Sequence, residues 1–189
     1  RGQPRPVSVY LFGSERDFRA FRQDKLSAGY YQSSPERDYI VLYDSGPETH
    51  RVLYHEYAHL VLQHSSVSLP RWLEEGIAEF YSTVDMVRGK LRIGSPVMSH
   101  ARMLAASDWL TPGQLASITA NSAFYNEQDK ATLFYAQSWA MVHMLNLAPG
   151  WREDYPRFLG LMAEAVPPPS AFEQAFGRTW EQAGQALVA

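Results

Sequence analysis

No cysteine occurs among the 189 residues. Disulfide staples, thiol nucleophiles and thiolate metal sites are excluded, so any bound metal must rely on His, Asp or Glu. The lack of cysteine leaves the compartment open, because a reduced cytosolic protein and an exported cysteine-free one both fit. No apolar run approaches the length of a membrane-spanning helix, so no integral membrane segment is expected, and no signal-peptide-like segment is present. Neither sign of charge dominates. A formal net charge of −3 gives no general attraction to nucleic acid, and no nucleic-acid partner is expected. There is no repeat of fixed period and no low-complexity tract. The first residue is Arg1 and not Met, so a processed or trimmed chain is expected, exported or periplasmic rather than cytoplasmic.

What the chain does have is enough apolar material for a core. Hydrophobic residues make up 46% and aromatics 13%, which fills one domain without staples, and a 20% charged fraction argues against global disorder. The expected organisation is a single domain over 1–189, with 1–6 linker-like and 150–189 a helical tail open to further sequence. The lead-in "RGQPRPV" carries two arginines but is punctuated by Pro and Gly, which reads as a solvated linker.

"VSVYLF" (7–12) and "DYIVLY" (38–43) read as strands. Between them "ERDFRAFRQDKL" places Phe18, Phe21 and Leu26 near helical spacing. Ser45 and Glu48 form an S-x-x-E pattern that predicts a capping box opening a helix, with Val52, Leu53, Tyr57, Leu60 and Val61 on its buried face. "LPRWLEEGIAEFYSTV" predicts a second amphipathic helix with Pro70 near its first turn. "RGKLRIG" (88–94) reads as a hairpin arm. "DKATLFYAQSWAMVHMLNL" (129–147) is the longest helical pattern, closed by Pro149-Gly150. Further capping boxes are expected at Thr111/Gln114, Ser170/Glu173 and Thr179/Gln182. Strands come first and helices follow, which is α+β order and not βαβ alternation.

Within the first long helix, "LYHEYAHLVLQH" (53–64) sets His55 and His59 four apart around Glu56. Four residues turn about 400°, so both imidazoles lie on one face roughly 6 Å apart and can share one Zn²⁺. Glu56, beside the first ligand, can act as general base without binding the ion. Two ligands need a third, and "RWLEEGIAEF" offers three carboxylates. Glu75 and Glu79 share a face, while Glu74 points about 100° away from Glu75. One carboxylate of that pair can bind the ion and the other accept a ring N–H of a ligating His. Gly76 costs about 1 kcal/mol against Ala in a helix, which implies a close approach of another segment, expected between these two helices beside the metal.

These residues resemble the gluzincin metallopeptidases, the peptidase-MA-like group with H-E-x-x-H and a downstream glutamate, in its compact bacterial form. His55-Glu56-Tyr57-Ala58-His59 matches the first motif, and "WLEEGIAEF" matches the family's W-L-x-E-G-x-A segment. The resemblance implies a zincin-like α+β domain: a small N-terminal mixed β-sheet, an active-site helix and a mostly helical C-terminal half. It implies metal ligands His55, His59 and Glu75, with Glu79 supporting His55. "YAQSWAMVHML" (135–145) is similar to the helix whose leading Tyr stabilises the transition state, which implies that role for Tyr135. Gln137-Ser138 replaces the family's Lys-Gly pair. No G-x-M-E-N segment precedes the zinc helix, so no glutamate grips a free N-terminus, and an endopeptidase acting on a peptide or protein substrate is expected. "DYIVLY" is the expected edge for an extended substrate to join, with Tyr39, Ile40 and Val41 as its contacts.

Two other functions compete with zinc-dependent peptide hydrolysis. One is a zinc-containing pseudopeptidase or binding module acting on a protein partner, which an intact Glu56 argues against. The other is a helical tail that begins a partner-docking array. The remaining histidines (His50, His64, His100, His143) read as packing or surface residues.

Overall fold

The structure is a computed structural model that describes residues 5–22, 27–122 and 128–188. Leu26 and the first four residues of the lead-in lie outside the described residues. The architecture is α+β, with a small mixed sheet at the N-terminal side and a helical C-terminal half.

Strands β1 (Val7–Phe12), β2 (Gly29–Ser33) and β3 (Asp38–Tyr43) form a sheet of order β1-β3-β2. β3 runs parallel to β1 and antiparallel to β2, so it is paired on both sides. This corrects the expectation that 38–43 is an edge. Ile40, Val41 and Leu42 are buried, and a strand bonded on both edges has no backbone left for a substrate. The near-continuous apolar run of β3 is the pattern of a strand covered on both faces. β2, which "GYYQS" hides behind its tyrosines, leads into the tight turn Ser34–Arg37: Ser34 N–H donates to the Arg37 carbonyl at 3.0 Å and Ser34 Oγ accepts from Arg37 N–H at 3.1 Å. Helix α1 is only Glu15–Phe18. Phe18 is fully buried, but Phe21 is exposed and does not extend the helix.

The predicted cap at Ser45/Glu48 does not form. Gly46 adopts φ +73° and opens a 3-10 turn over Gly46–Glu48, and Ser45 makes no side-chain cap. Asp44 does that work instead: its Oδ1 accepts from Gly46 N–H and from the Thr49 hydroxyl, each at 2.9 Å. Helix α2 then runs Thr49–His64. Its sheet-facing side holds Val52, Leu53 and Leu60 against Ile40 and Leu42, whereas Tyr57 and Val61, expected inside, are half-exposed.

Helix α3 (Arg71–Tyr81) is the centre of the molecule. Trp72, Leu73, Ile77, Ala78 and Phe80 are buried, and so are Glu75 and Glu79. A hairpin, β4 (Asp85–Val87) with β5 (Lys90–Arg92), follows it, then helices α4 (Met98–Ala106), which the sequence reading missed, and α5 (Pro112–Ser117). α5 carries the predicted Thr111/Gln114 capping box. Helix α6 (Gln128–Leu147) lies along α3, and α7 (Tyr155–Ala163), α8 (Pro168–Phe176) and α9 (Trp180–Val188) complete the chain. Their aromatic residues join the α3 core directly: Trp180 packs on Trp72 with ring centroids 4.5 Å apart. Thr179 and Gln182 bond reciprocally as expected. Ser170 does not cap, because α8 already begins at Pro168, where a missing N–H costs nothing. Among the described residues no helix is long and apolar enough to cross a membrane.

Gly76 does mark a close approach, but to a different partner. A Cβ there would run into the Ser138 carbonyl oxygen and Val142 Cγ2 of α6. The contact is between the helix carrying Glu75 and the helix carrying Tyr135, not between α3 and α2. Gly76→Ala gains about 1 kcal/mol of helix propensity but meets a backbone oxygen that cannot rotate away. We expect a net loss of about 1–3 kcal/mol, read as a lower urea midpoint at unchanged slope.

Candidate metal centre

Two carboxylates four residues apart on a core helix are costly to bury unless each finds a partner. Glu75 is 1% exposed and Glu79 is 7% exposed. Their partners come from the helices on either side.

His55 and His59 of α2 meet Glu75 head on. His55 Nε2 lies 3.1 Å from His59 Nε2, and Glu75 Oε2 lies 3.5 Å from the first and 3.3 Å from the second. A tetrahedral ion with bonds of roughly 2.0–2.1 Å separates its ligand atoms by about 3.3 Å. The three atoms therefore fit one small cation, and His55, His59 and Glu75 form a group that can hold a metal ion. The second oxygen of Glu75 faces Arg71, whose Nε is 3.6 Å away. Arg71 also pairs with Glu74 at 2.8 Å, which turns Glu74 aside as its position on the helix predicts.

Glu79 sits behind His55, its Oε1 3.3 Å from His55 Nδ1. That leaves Nε2 directed toward Glu75, as a ligating tautomer requires. Charge follows this arrangement. Burial alone disfavours the protonated form of His55, but the hydrogen bonds to Glu75 and Glu79 outweigh it and hold its pKa well above the ordinary value. Burial likewise opposes ionisation of Glu75, and the bonds to His55 and His59 override it, so its carboxyl stays ionised far into acid. Glu79 behaves the same way through His100 and His55. Glu56 differs: burial pushes its pKa up, only partly offset by the nearby imidazoles, and the Tyr31 backbone N–H bonds to it. It is the carboxylate here with a raised affinity for a proton.

Tyr135 of α6 comes to the same place, its ring centroid 6.3 Å from that of His55. His55, Glu56, His59, Glu75, Glu79 and Tyr135 are thus gathered as expected. Tyr39, Ile40 and Val41 are not at an open edge, for the reason given above. Sequence reasoning missed Arg51, His100 and a bridge built on Asp38. Arg51 places Nη2 2.8 Å from Glu79 Oε2; it lies one turn before His55 on the same helix face, a spacing that could have revealed it. His100 of α4 places Nε2 2.9 Å from the same oxygen, and no local pattern points to it. Asp38, almost fully buried, accepts from the Tyr31 hydroxyl at 2.9 Å and meets His64 Nε2 at 2.7 Å. That bridge ties the strand holding Tyr31 to the end of α2.

A family model described as "Protein of unknown function (DUF1570)" matches residues 49–168, more than half of the chain and every member of the metal group, and the chain belongs to that family. The curated proteins contain no match to it.

The Asp38 bridge makes a prediction of its own. Burial raises the Asp38 pKa, but the bonds from His64 and Tyr31 prevail and hold it below the ordinary value. Its contribution to stability is fully present above the unfolded pKa of about 3.9 and is lost as pH falls through the lower folded value. Asp38→Asn should cost about 2 kcal/mol in urea unfolding at pH 7, and the gap to wild type should narrow below pH 4.

Proposed function

We propose that this member of the DUF1570 family is a zinc-dependent peptidase, most simply an endopeptidase, with His55, His59 and Glu75 as metal ligands. The observation that supports the reading most is the triangle of ligand atoms with Glu56 immediately beside it. An imidazole-rich donor set with one carboxylate suits zinc better than the oxygen-seeking calcium or magnesium. Zinc, when bound, supplies Lewis acidity, which activates water near neutral pH and draws electron density from a carbonyl.

The chain's own groups divide the rest. Glu56, whose raised proton affinity suits a general base, takes a proton from the attacking water as the new C–O bond forms. It returns that proton to the amine nitrogen as the C–N bond breaks, so the carboxylate is regenerated. The Tyr135 hydroxyl donates a hydrogen bond to the substrate oxygen as negative charge gathers there. The Tyr31 N–H bond and the Asp38 bridge hold Glu56 and β2 in mutual register.

The edge that suits an extended peptide is β2 and not β3. Bonds between β2 and β3 are made at Ala28 and Ser34, with Tyr30 opposite Val41 and Gln32 opposite Tyr39. By alternation, the backbone groups of Gly29, Tyr31 and Ser33 point away from β3, and Tyr31 points toward Glu56. A peptide added along this edge would bring its carbonyls past the general base.

Elemental analysis of the purified protein should find one zinc per chain, and a mixed peptide library should be cut. Glu56→Gln should keep the zinc and lose cleavage by about 10²–10⁴-fold. Tyr135→Phe should lose about 10²–10³-fold in kcat, near 3 kcal/mol. Stoichiometric zinc without cleavage by wild type would instead assign a binding role, and no zinc would remove the reading.

A further inference from the structure

Glu79 supports His55 with one oxygen only. Its other oxygen, Oε2, receives two donors, Arg51 Nη2 at 2.8 Å and His100 Nε2 at 2.9 Å. These come from two different helices, α2 and α4. Arg51 stands at the start of α2 and is held in place by Glu48 at 3.0 Å and Ser82 at 3.3 Å. His100 stands on α4, buried to 7% exposure, its ring 5.7 Å from that of Trp139. Its Nδ1 is buried and has no hydrogen-bond partner among the described residues, so the bond to Glu79 is the polar contact that ring makes.

We propose that His100 and Arg51 are positioning residues of the metal centre, acting through Glu79 to fix the orientation of His55. With Oε2 occupied by two donors, Glu79 presents Oε1 to His55 Nδ1, and that bond aims Nε2 at the ion. Removing either donor frees the carboxylate to turn, and the imidazole loses the brace behind it. Stability alone does not account for the arrangement. A buried cluster of Arg, His and Glu contributes little over apolar residues of the same volume, since desolvating the charges offsets their attraction. The geometric consequence, one carboxylate oxygen reserved for a ligand, is what the cluster achieves.

The inference rests on the metal reading above, and the test separates the two. Zn²⁺ affinity of the whole chain is measured by competition with a chromophoric chelator at fixed pH, and the Co²⁺-substituted protein is examined by visible absorption. His100→Ala and Arg51→Met should each weaken Zn²⁺ binding about tenfold to a hundredfold and alter the Co²⁺ spectrum. His100→Gln, whose amide N–H can donate to Oε2, should recover most of the affinity, and His100→Leu should not. If His100→Ala does not fold, Arg51→Met at its partly exposed position decides the matter. Wild-type affinity and spectrum in Arg51→Met and His100→Ala, or equal behaviour of the Gln and Leu variants, would overturn the inference while leaving the metal site intact. A wild-type chain that takes up neither ion would overturn the metal reading itself, and this inference with it.

Discussion

Helix α3 buries two carboxylates in the middle of an apolar core, and the surrounding structure answers that constraint. Glu75 and Glu79 lie one turn apart on one face, so a single facing helix can reach both. α2 is that helix, with Arg51, His55 and His59 along one face, and α4 adds His100 from the side. A helix presenting two histidines and an arginine to the core is tolerable only because those carboxylates face it. Each helix is explained by the other.

The same constraint accounts for the rest of the packing. α3 must lie deep enough to exclude water from its acids, so it is enclosed on its far side by α6, and Gly76 permits that contact. The close crossing brings Tyr135 within reach of His55. The tail helices then cover the outer end of α3 through Trp72 and Trp180. On the opposite side the sheet carries β2 along α2, where the Asp38 bridge holds Tyr31 beside Glu56. The face carrying His55 and His59, the position of Glu56 and the placement of β2 are set by three separate contacts of α2.

Much of the centre was legible because helical period converts spacing into geometry. His55, Glu56 and His59 are fixed relative to one another by any helix at all, and Glu75 and Glu79 likewise. The link between the two helices is short, which left few ways to bring them together. The elements that escaped are those whose identity depends on distant partners. "DYIVLY" and "VSVYLF" look alike, and only pairing shows that the first is central and the second an edge. β2 was hidden because "GYYQS" has neither a clean alternation nor a β-branched run. His100 joins Glu79 across twenty-one residues and a hairpin, with nothing local to announce it. The caps failed where a neighbouring residue pre-empted them: Asp44 took the bonds expected of Ser45, and Pro168 started α8 before Ser170 could.

The most direct test of the account is anomalous diffraction at the zinc absorption edge from a crystal of the whole chain. The account places one peak at roughly 2.0–2.1 Å from His55 Nε2, His59 Nε2 and Glu75 Oε2 together. A peak bound elsewhere, or none at this point with zinc supplied in excess, would contradict it.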